Sequence, residues 1–211
     1  MNAKFTKEII AQKLAEKLPG KISHQRMASV SRSVELQQAA EAEAYAKKSA
    51  VMLLLFQEND EWKVIFIRRS FYVGIHAGQI AFPGGRYEDF DLDLAHTALR
   101  EINEEIGIAA DKIEILGRLT DMFVPASNFV ITIFVGYLSQ KPNYKLDERE
   151  VADVFEISLA NFFDDAIIHE KDFLVPSAQT AVRAPYYQVG GIELWGASAM
   201  VMTEFLDILK R

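Results

Sequence analysis

Residues 93–107, DLAHTALREINEEIG, set the tightest limit on how this chain can fold. At about 100° per residue, Ala95, Ala98, Leu99, Ile102 and Ile106 fall on one arc of a helix. Glu101, Glu104 and Glu105 fall on the adjoining arc. The apolar arc must be buried against another layer, so the acidic arc lies at the rim of that contact. Like charges at this spacing repel by roughly 0.2–0.5 kcal/mol per exposed pair. Something outside the helix should compensate them, and a hard divalent cation suits clustered carboxylate oxygens. Arg100, at the edge of the acidic arc, can hold a carboxylate through a two-pronged hydrogen bond. A solvated acidic face is the ordinary alternative for three glutamates so placed. The Gly84-Gly85 pair upstream, the arginine before the first glutamate and Gly107 after the last weigh toward a built site.

The rest of the chain supplies layers for that helix to pack on. Residues 4–18 are expected to be helical, with Phe5, Ile9, Leu14 and Leu18 as the apolar stripe and Pro19-Gly20 as the stop. Residues 21–48 are polar and read as a connection with some helical or turn character. Two β-type runs, 50–57 and 63–68, flank a hairpin turn at 58–61. Residues 70–92 show no periodicity and read as a long loop, a kind of segment that in small domains is usually functional or disordered. The acidic helix should run over 93–106, ended by Gly107. Strands fit 113–122, 129–138, 151–157, 186–189 and 192–195, and 200–209 fits a final amphipathic helix. This order predicts an α+β arrangement, a mixed sheet with helices packed on it.

Composition narrows the function classes. A net charge of -7 argues against general nucleic-acid binding, which wants a basic face. It leaves room for a small phosphorylated substrate held by a few local cations. The chain has no cysteine, which excludes disulfides, thiolate catalysis and cysteine-zinc sites. The N-terminal stretch carries charges throughout, without the apolar core of a signal peptide. The apolar run 51–56 is far too short to span a bilayer. The expectation is a cytoplasmic protein that does not enter a membrane. Residues 1–48 form an N-terminal helix and connecting segment, and 49–211 the main domain. The first segment can pack on the domain or on a second subunit, which leaves room for a homodimer.

The acidic helix with its upstream glycines resembles the Nudix box, Gly-x5-Glu-x7-Arg-Glu-U-x-Glu-Glu-x-Gly-U, where U is bulky and apolar. Gly85, Arg100, Glu101, Ile102, Glu104, Glu105, Gly107 and Ile108 match. One residue more than the general pattern separates Gly85 from Arg100. The early acidic position therefore falls on Asp91 counting forward and on Leu92 counting back, with Glu88 and Asp93 nearby. The resemblance implies an α/β/α sandwich with a mixed sheet, and Mg2+- or Mn2+-dependent hydrolysis of a nucleoside diphosphate linked to another group. Glu101, Glu104 and Glu105 would supply metal oxygens and Arg100 would orient one of them. Glu101 or Glu104 could serve as general base, and Glu150, entering a later strand, is a further catalytic candidate. Gly84 and Gly85 would let the loop turn tightly beside the helix.

The loop before the box is similar to the coenzyme A pyrophosphatase branch of that family. The branch pattern is Leu-Leu-Thr-x-Arg-Ser-x3-Arg-x3-Gly-x3-Phe-Pro-Gly-Gly. Arg69, Ser70, Gly78, Phe82, Pro83, Gly84 and Gly85 fit it, while Ile67 replaces the threonine and Gly74 the second arginine. Arg69, Ser70, Gly84 and Gly85 are the implied substrate-binding residues, and Arg68, Arg86 or His76 could stand in for the missing cation. Phe71, Tyr72 and Tyr87 are stacking candidates. The implied reaction cuts the pyrophosphate of coenzyme A or a derivative into 3′,5′-ADP and 4′-phosphopantetheine. ADP-ribose, NADH, a dinucleoside polyphosphate or a damaged nucleotide is the second reading, and a non-cleaving nucleotide sensor the third.

Overall fold

The run Leu53–Leu54–Leu55–Phe56 is apolar without alternation because both faces of its strand are covered. The computed structural model describes residues 5–29, 43–71, 76–175 and 180–211. In it β1 (Lys47–Glu58) lies at the middle of a mixed sheet. It runs parallel to β7 (Phe129–Leu138) and antiparallel to β2 (Glu61–Arg69). Leu53 and Leu55 point into one core, with Val64 and Phe66 of β2. Ala50, Met52, Leu54 and Phe56 point into the other, with Ile65 and Ile67. Continuous apolar strands are what a sheet covered on both faces requires.

The acidic helix closes the second core. It is α3 (Leu94–Ile106), capped by the Asp93 carboxylate, which accepts from the His96 N–H at 2.8 Å. Ala98, Ile102 and Ile106 are fully buried against the sheet, as the apolar arc predicted. The opposite core is filled by α1 (Lys7–Leu14) and by α4 (Gly196–Lys210), which brings in Met202, Phe205, Leu206 and Leu209. The inward face of α1 is Ile10 and Leu14, not the expected Ile9. The helix is about two turns long, so Phe5 and Leu18 lie outside it and pack partly against the core. α2 (Lys21–Gln25) follows within the expected connection.

Several expected elements change on folding. The long loop contains two short strands, β3 (Ile80–Ala81) on β2 and β4 (Gly84–Arg86) on β1. Pieces this short carry no readable period. The expected strand 113–122 divides into β5 (Ile113–Arg118) and β6 (Met122–Val124). Between them the Thr120 N–H and hydroxyl both donate to the buried Glu204 of α4, which takes the residue out of the ladder. β8 (Val151–Ser158) pairs with β2. A second, three-stranded sheet holds β9 (Ile168–Val175), which was not expected, then β10 (Thr180–Val189) and β11 (Ile192–Trp195). β10 begins earlier than expected; its Pro185 lies where β9 alone is the neighbour, so the missing N–H costs no second ladder. Among the described residues no helix is long and apolar enough to cross a membrane.

Two turns place the site. Asn59 and Asp60 both take positive φ between β1 and β2, as a tight hairpin turn demands. Gly107 ends α3 with φ 74°, and its N–H returns to the Asn103 carbonyl. A side chain there would meet Lys145 Cβ at 2.7 Å and the Lys145 carbonyl oxygen at 2.9 Å. Gly107→Ala should therefore cost about 1–3 kcal/mol, the usual penalty for a left-handed non-glycine residue. Urea unfolding of the variant beside the parent checks it.

Candidate metal and active site

The acidic arc of α3 meets two other chain segments. β4 delivers the Gly84 N–H to Glu105 Oε2 at 2.8 Å. Gly84 has φ 144°, and a side chain on it would run into Ala50 and Val51 of β1. A side chain on Gly85 would run into the Glu101 carboxylate. These two glycines thus let β4 lie close to the carboxylates. The second segment is the loop 145–150. It is held to the end of α3 by Lys145 N–H to the Ile106 carbonyl (3.0 Å) and Asp147 N–H to the Glu105 carbonyl (3.1 Å). Ser70 holds its far end, the hydroxyl donating to the Glu148 carbonyl and the N–H to the Glu150 carbonyl, both at 2.8 Å. The Ser70 hydroxyl therefore positions the loop that carries Glu150.

Carboxylate oxygens of Glu101, Glu105 and Glu150 come within 4.8 Å of one another. Glu105 is 1% exposed. Its Oε1 is buried and makes no hydrogen bond, and Arg69 Nη1 stands 3.6 Å from it. Burial pushes the Glu105 carboxyl up to about 8, against the pull of the Gly84 N–H and Arg69. Burial also raises Glu101, opposed by its bond to Arg100. A buried oxygen without a hydrogen bond, inside a cluster of hard oxygen donors, suits a further cation. The residues present fit a divalent metal ion: Glu101, Glu105 and Glu150 would hold it. Glu104 lies outside this trio and is mostly exposed, held by Arg100 Nη1 at 2.9 Å.

Arg100 organises the rim. Its Nε and Nη2 grip both oxygens of Asp91, at 2.9 and 3.0 Å. Nη1 donates to Glu101 Oε1 and Glu104 Oε2, each at 2.9 Å, and Nη2 also reaches the Arg86 carbonyl at 3.0 Å. Asp91 is buried, while Leu92 is 88% exposed. The early acidic position, ambiguous by counting, is thus filled by Asp91. Thr97 and the Glu88 N–H donate to it as well. His96 brings Nδ1 within 2.9 Å of the same carboxylate. The Arg100 guanidinium, with these other donors, holds the Asp91 carboxyl far below the usual range.

The other expected cations are engaged elsewhere. Arg68 pairs with Asp153 and lies over the Phe155 ring, and Arg86 stands 3.8 Å from Glu88. His76 Nδ1 is 2.9 Å from Gln79 Oε1, and burial lowers its pKa. The Tyr87 hydroxyl donates to the Asp91 carbonyl. Tyr72 and Gly74 lie outside the described residues.

A mixed sheet between helices thus brings three glutamates together where one helix meets the loop 145–150, an arrangement suited to a divalent cation. The NUDIX domain profile matches residues 46–174. The uncharacterized Nudix hydrolase NudL of Pectobacterium atrosepticum is 32% identical over 139 residues, 66% of this chain and 71% of that protein. NudL of Yersinia enterocolitica is 38% identical over 110 residues, 52% of this chain and 56% of that protein. The MutT protein of Methanosarcina mazei Go1 shares the fold, with a TM-score of 0.50 at 20% identity, over 78% of this chain and 95% of that one. The chain belongs to the Nudix family, hydrolases of phosphorus-containing anhydrides.

Asp91→Asn tests the rim. Breaking a buried ion pair costs about 3–5 kcal/mol. Because the folded-state pKa of Asp91 is depressed, its contribution is present above the unfolded carboxylate range. It fades as pH falls through the depressed folded value. The difference between parent and variant in chemical unfolding should be full at pH 7 and shrink progressively below about pH 4.

Proposed function

We propose that this chain is a cytoplasmic hydrolase that cuts the pyrophosphate bond of coenzyme A or its derivatives, giving 3′,5′-ADP and 4′-phosphopantetheine, with Mg2+ or Mn2+. The observation that carries the hydrolytic part is the buried Glu105 Oε1, which makes no hydrogen bond and has Arg69 Nη1 at 3.6 Å, inside the Glu101–Glu105–Glu150 cluster. A bound divalent ion supplies positive charge to the pyrophosphate and makes water more acidic. The chain's own groups do the rest. Glu101, Glu105 and Glu150 would hold the ion, and Glu104 would be the further ligand that the box implies. Arg100, fixed by Asp91, orients Glu101 and Glu104. Glu150, on the loop strapped down by Ser70, or Glu101 accepts the proton from the attacking water. Such a base contributes about 10²–10⁴-fold. Arg69 offers its guanidinium to a substrate phosphate beside Glu105. Gly84 and Gly85 keep the loop low beside the site.

The coenzyme A assignment is supported by the Arg69-Ser70 and Phe82-Pro83-Gly84-Gly85 elements of the loop. Gly74, where that branch has arginine, favours the second reading, another nucleoside diphosphate derivative such as ADP-ribose. Incubation with each metal and coenzyme A, beside ADP-ribose, decides between them by product. The expected product is 3′,5′-ADP. Turnover of ADP-ribose alone transfers the assignment to the second reading, and tight binding without turnover of either means a sensor. Glu105→Gln should lower kcat at least about 100-fold, since a lost metal-directed charge costs several kcal/mol and each 1.36 is tenfold. Activity within about tenfold of the parent would contradict the ligand role.

A further inference from the structure

Phe90 is a large apolar side chain left 68% exposed. An exposed phenylalanine alone says little; its mount and its neighbour say more. The turn that carries it is fixed at several points. The Asp91 N–H donates to the Glu88 carbonyl at 2.9 Å, and the Glu88 N–H donates back to Asp91 Oδ2 at 3.0 Å. The next side chain, Asp91, is gripped by Arg100. The Arg100 guanidinium carbon lies over the Phe90 ring, 5.4 Å from its centroid, within cation–π range. That same guanidinium bonds the Glu101 carboxylate at 2.9 Å. The ring therefore stands one guanidinium away from the acidic cluster, backed on one face and open to solvent elsewhere. Leu92, also exposed, follows two residues on.

We infer that Phe90 is the stacking platform for the aromatic base of the nucleotide substrate, an inference that rests on the nucleoside diphosphate reading above. The base is the one flat apolar part that every candidate substrate shares. A ring already held in place loses little conformational freedom when a base settles on it. Stacking of a base on an aromatic side chain is worth about 5- to 160-fold in affinity. The phosphates would then run from the ring toward the Glu101–Glu105–Glu150 cluster.

The test compares ADP with inorganic pyrophosphate as ligands of the full chain in Mg2+. Phe90→Ala should raise the Kd for ADP about tenfold and leave that for pyrophosphate unchanged. Phe90→Trp should restore ADP affinity, with fluorescence quenching on ADP addition beyond that of the parent. Equal ADP affinity in Phe90→Ala and the parent overturns the inference. So does an equal loss for both ligands, which would mean that the ring acts only through Arg100. Phe71, exposed and next to Ser70 in the chain, is the rival platform; a loss of ADP affinity in Phe71→Ala and none in Phe90→Ala also overturns it. Parent protein that binds pyrophosphate but not ADP sinks this inference alone. Parent protein that binds neither sinks the nucleotide-hydrolase reading beneath it.

Discussion

One guanidinium holds the acidic site in shape. Arg100 donates to both oxygens of Asp91, to Glu101, to Glu104 and to the Arg86 carbonyl. A planar fork with five N–H donors can do this, and an ammonium cannot. The arrangement shares one positive charge among three carboxylates, so negative charge is left over where Glu101 faces Glu105 and Glu150. Asp91 takes up the fork most completely, which fixes the arginine without neutralising the trio. The rim is therefore held by Arg100, while inside it Glu105 Oε1 faces Arg69 Nη1 at 3.6 Å and makes no hydrogen bond.

The core and the site are one construction. Glu105 sits on the same helix as Ala98, Ile102 and Ile106, and burial of those three under β1 carries the carboxylate down with them. Its desolvation is offset in part by a backbone N–H from β4, which can approach because Gly84 has no side chain to strike β1. Packing thus raises the energy of the ionised carboxylate, and β4 sets its direction.

Much of this was legible in the residues. The spacing of Ala98, Ile102 and Ile106 against Glu101, Glu104 and Glu105 gave the helix and its two faces, because a 3.6-residue period is a local property. The unbroken apolar run in β1 and the Asn59-Asp60 turn were readable for the same reason. What failed depended on partners distant in the chain. Thr120 leaves its strand for Glu204, and no local signal announces that. Asp91 and Leu92 were indistinguishable by counting until burial separated them. The bond from the Ser70 hydroxyl to the Glu148 carbonyl was likewise unreadable, being a contact across the fold. Phe90 was passed over because an aromatic in an acidic loop has no pattern of its own; its place beside Arg100 exists only in three dimensions.

The loop that carries Glu150 is tied down at both ends by main-chain atoms: the carbonyls of Glu105 and Ile106 at its start, and its own Glu148 and Glu150 carbonyls, bonded by Ser70, at its finish. Such ties take no notice of which side chains stand between them. Within the loop the Arg149 guanidinium and N–H are bound to the Asp147 carboxylate, a further brace next to Glu150. The ties to the acidic helix and to Ser70 thus set where the carboxylate is delivered, and the neighbouring Arg149 charge sets part of the field around it.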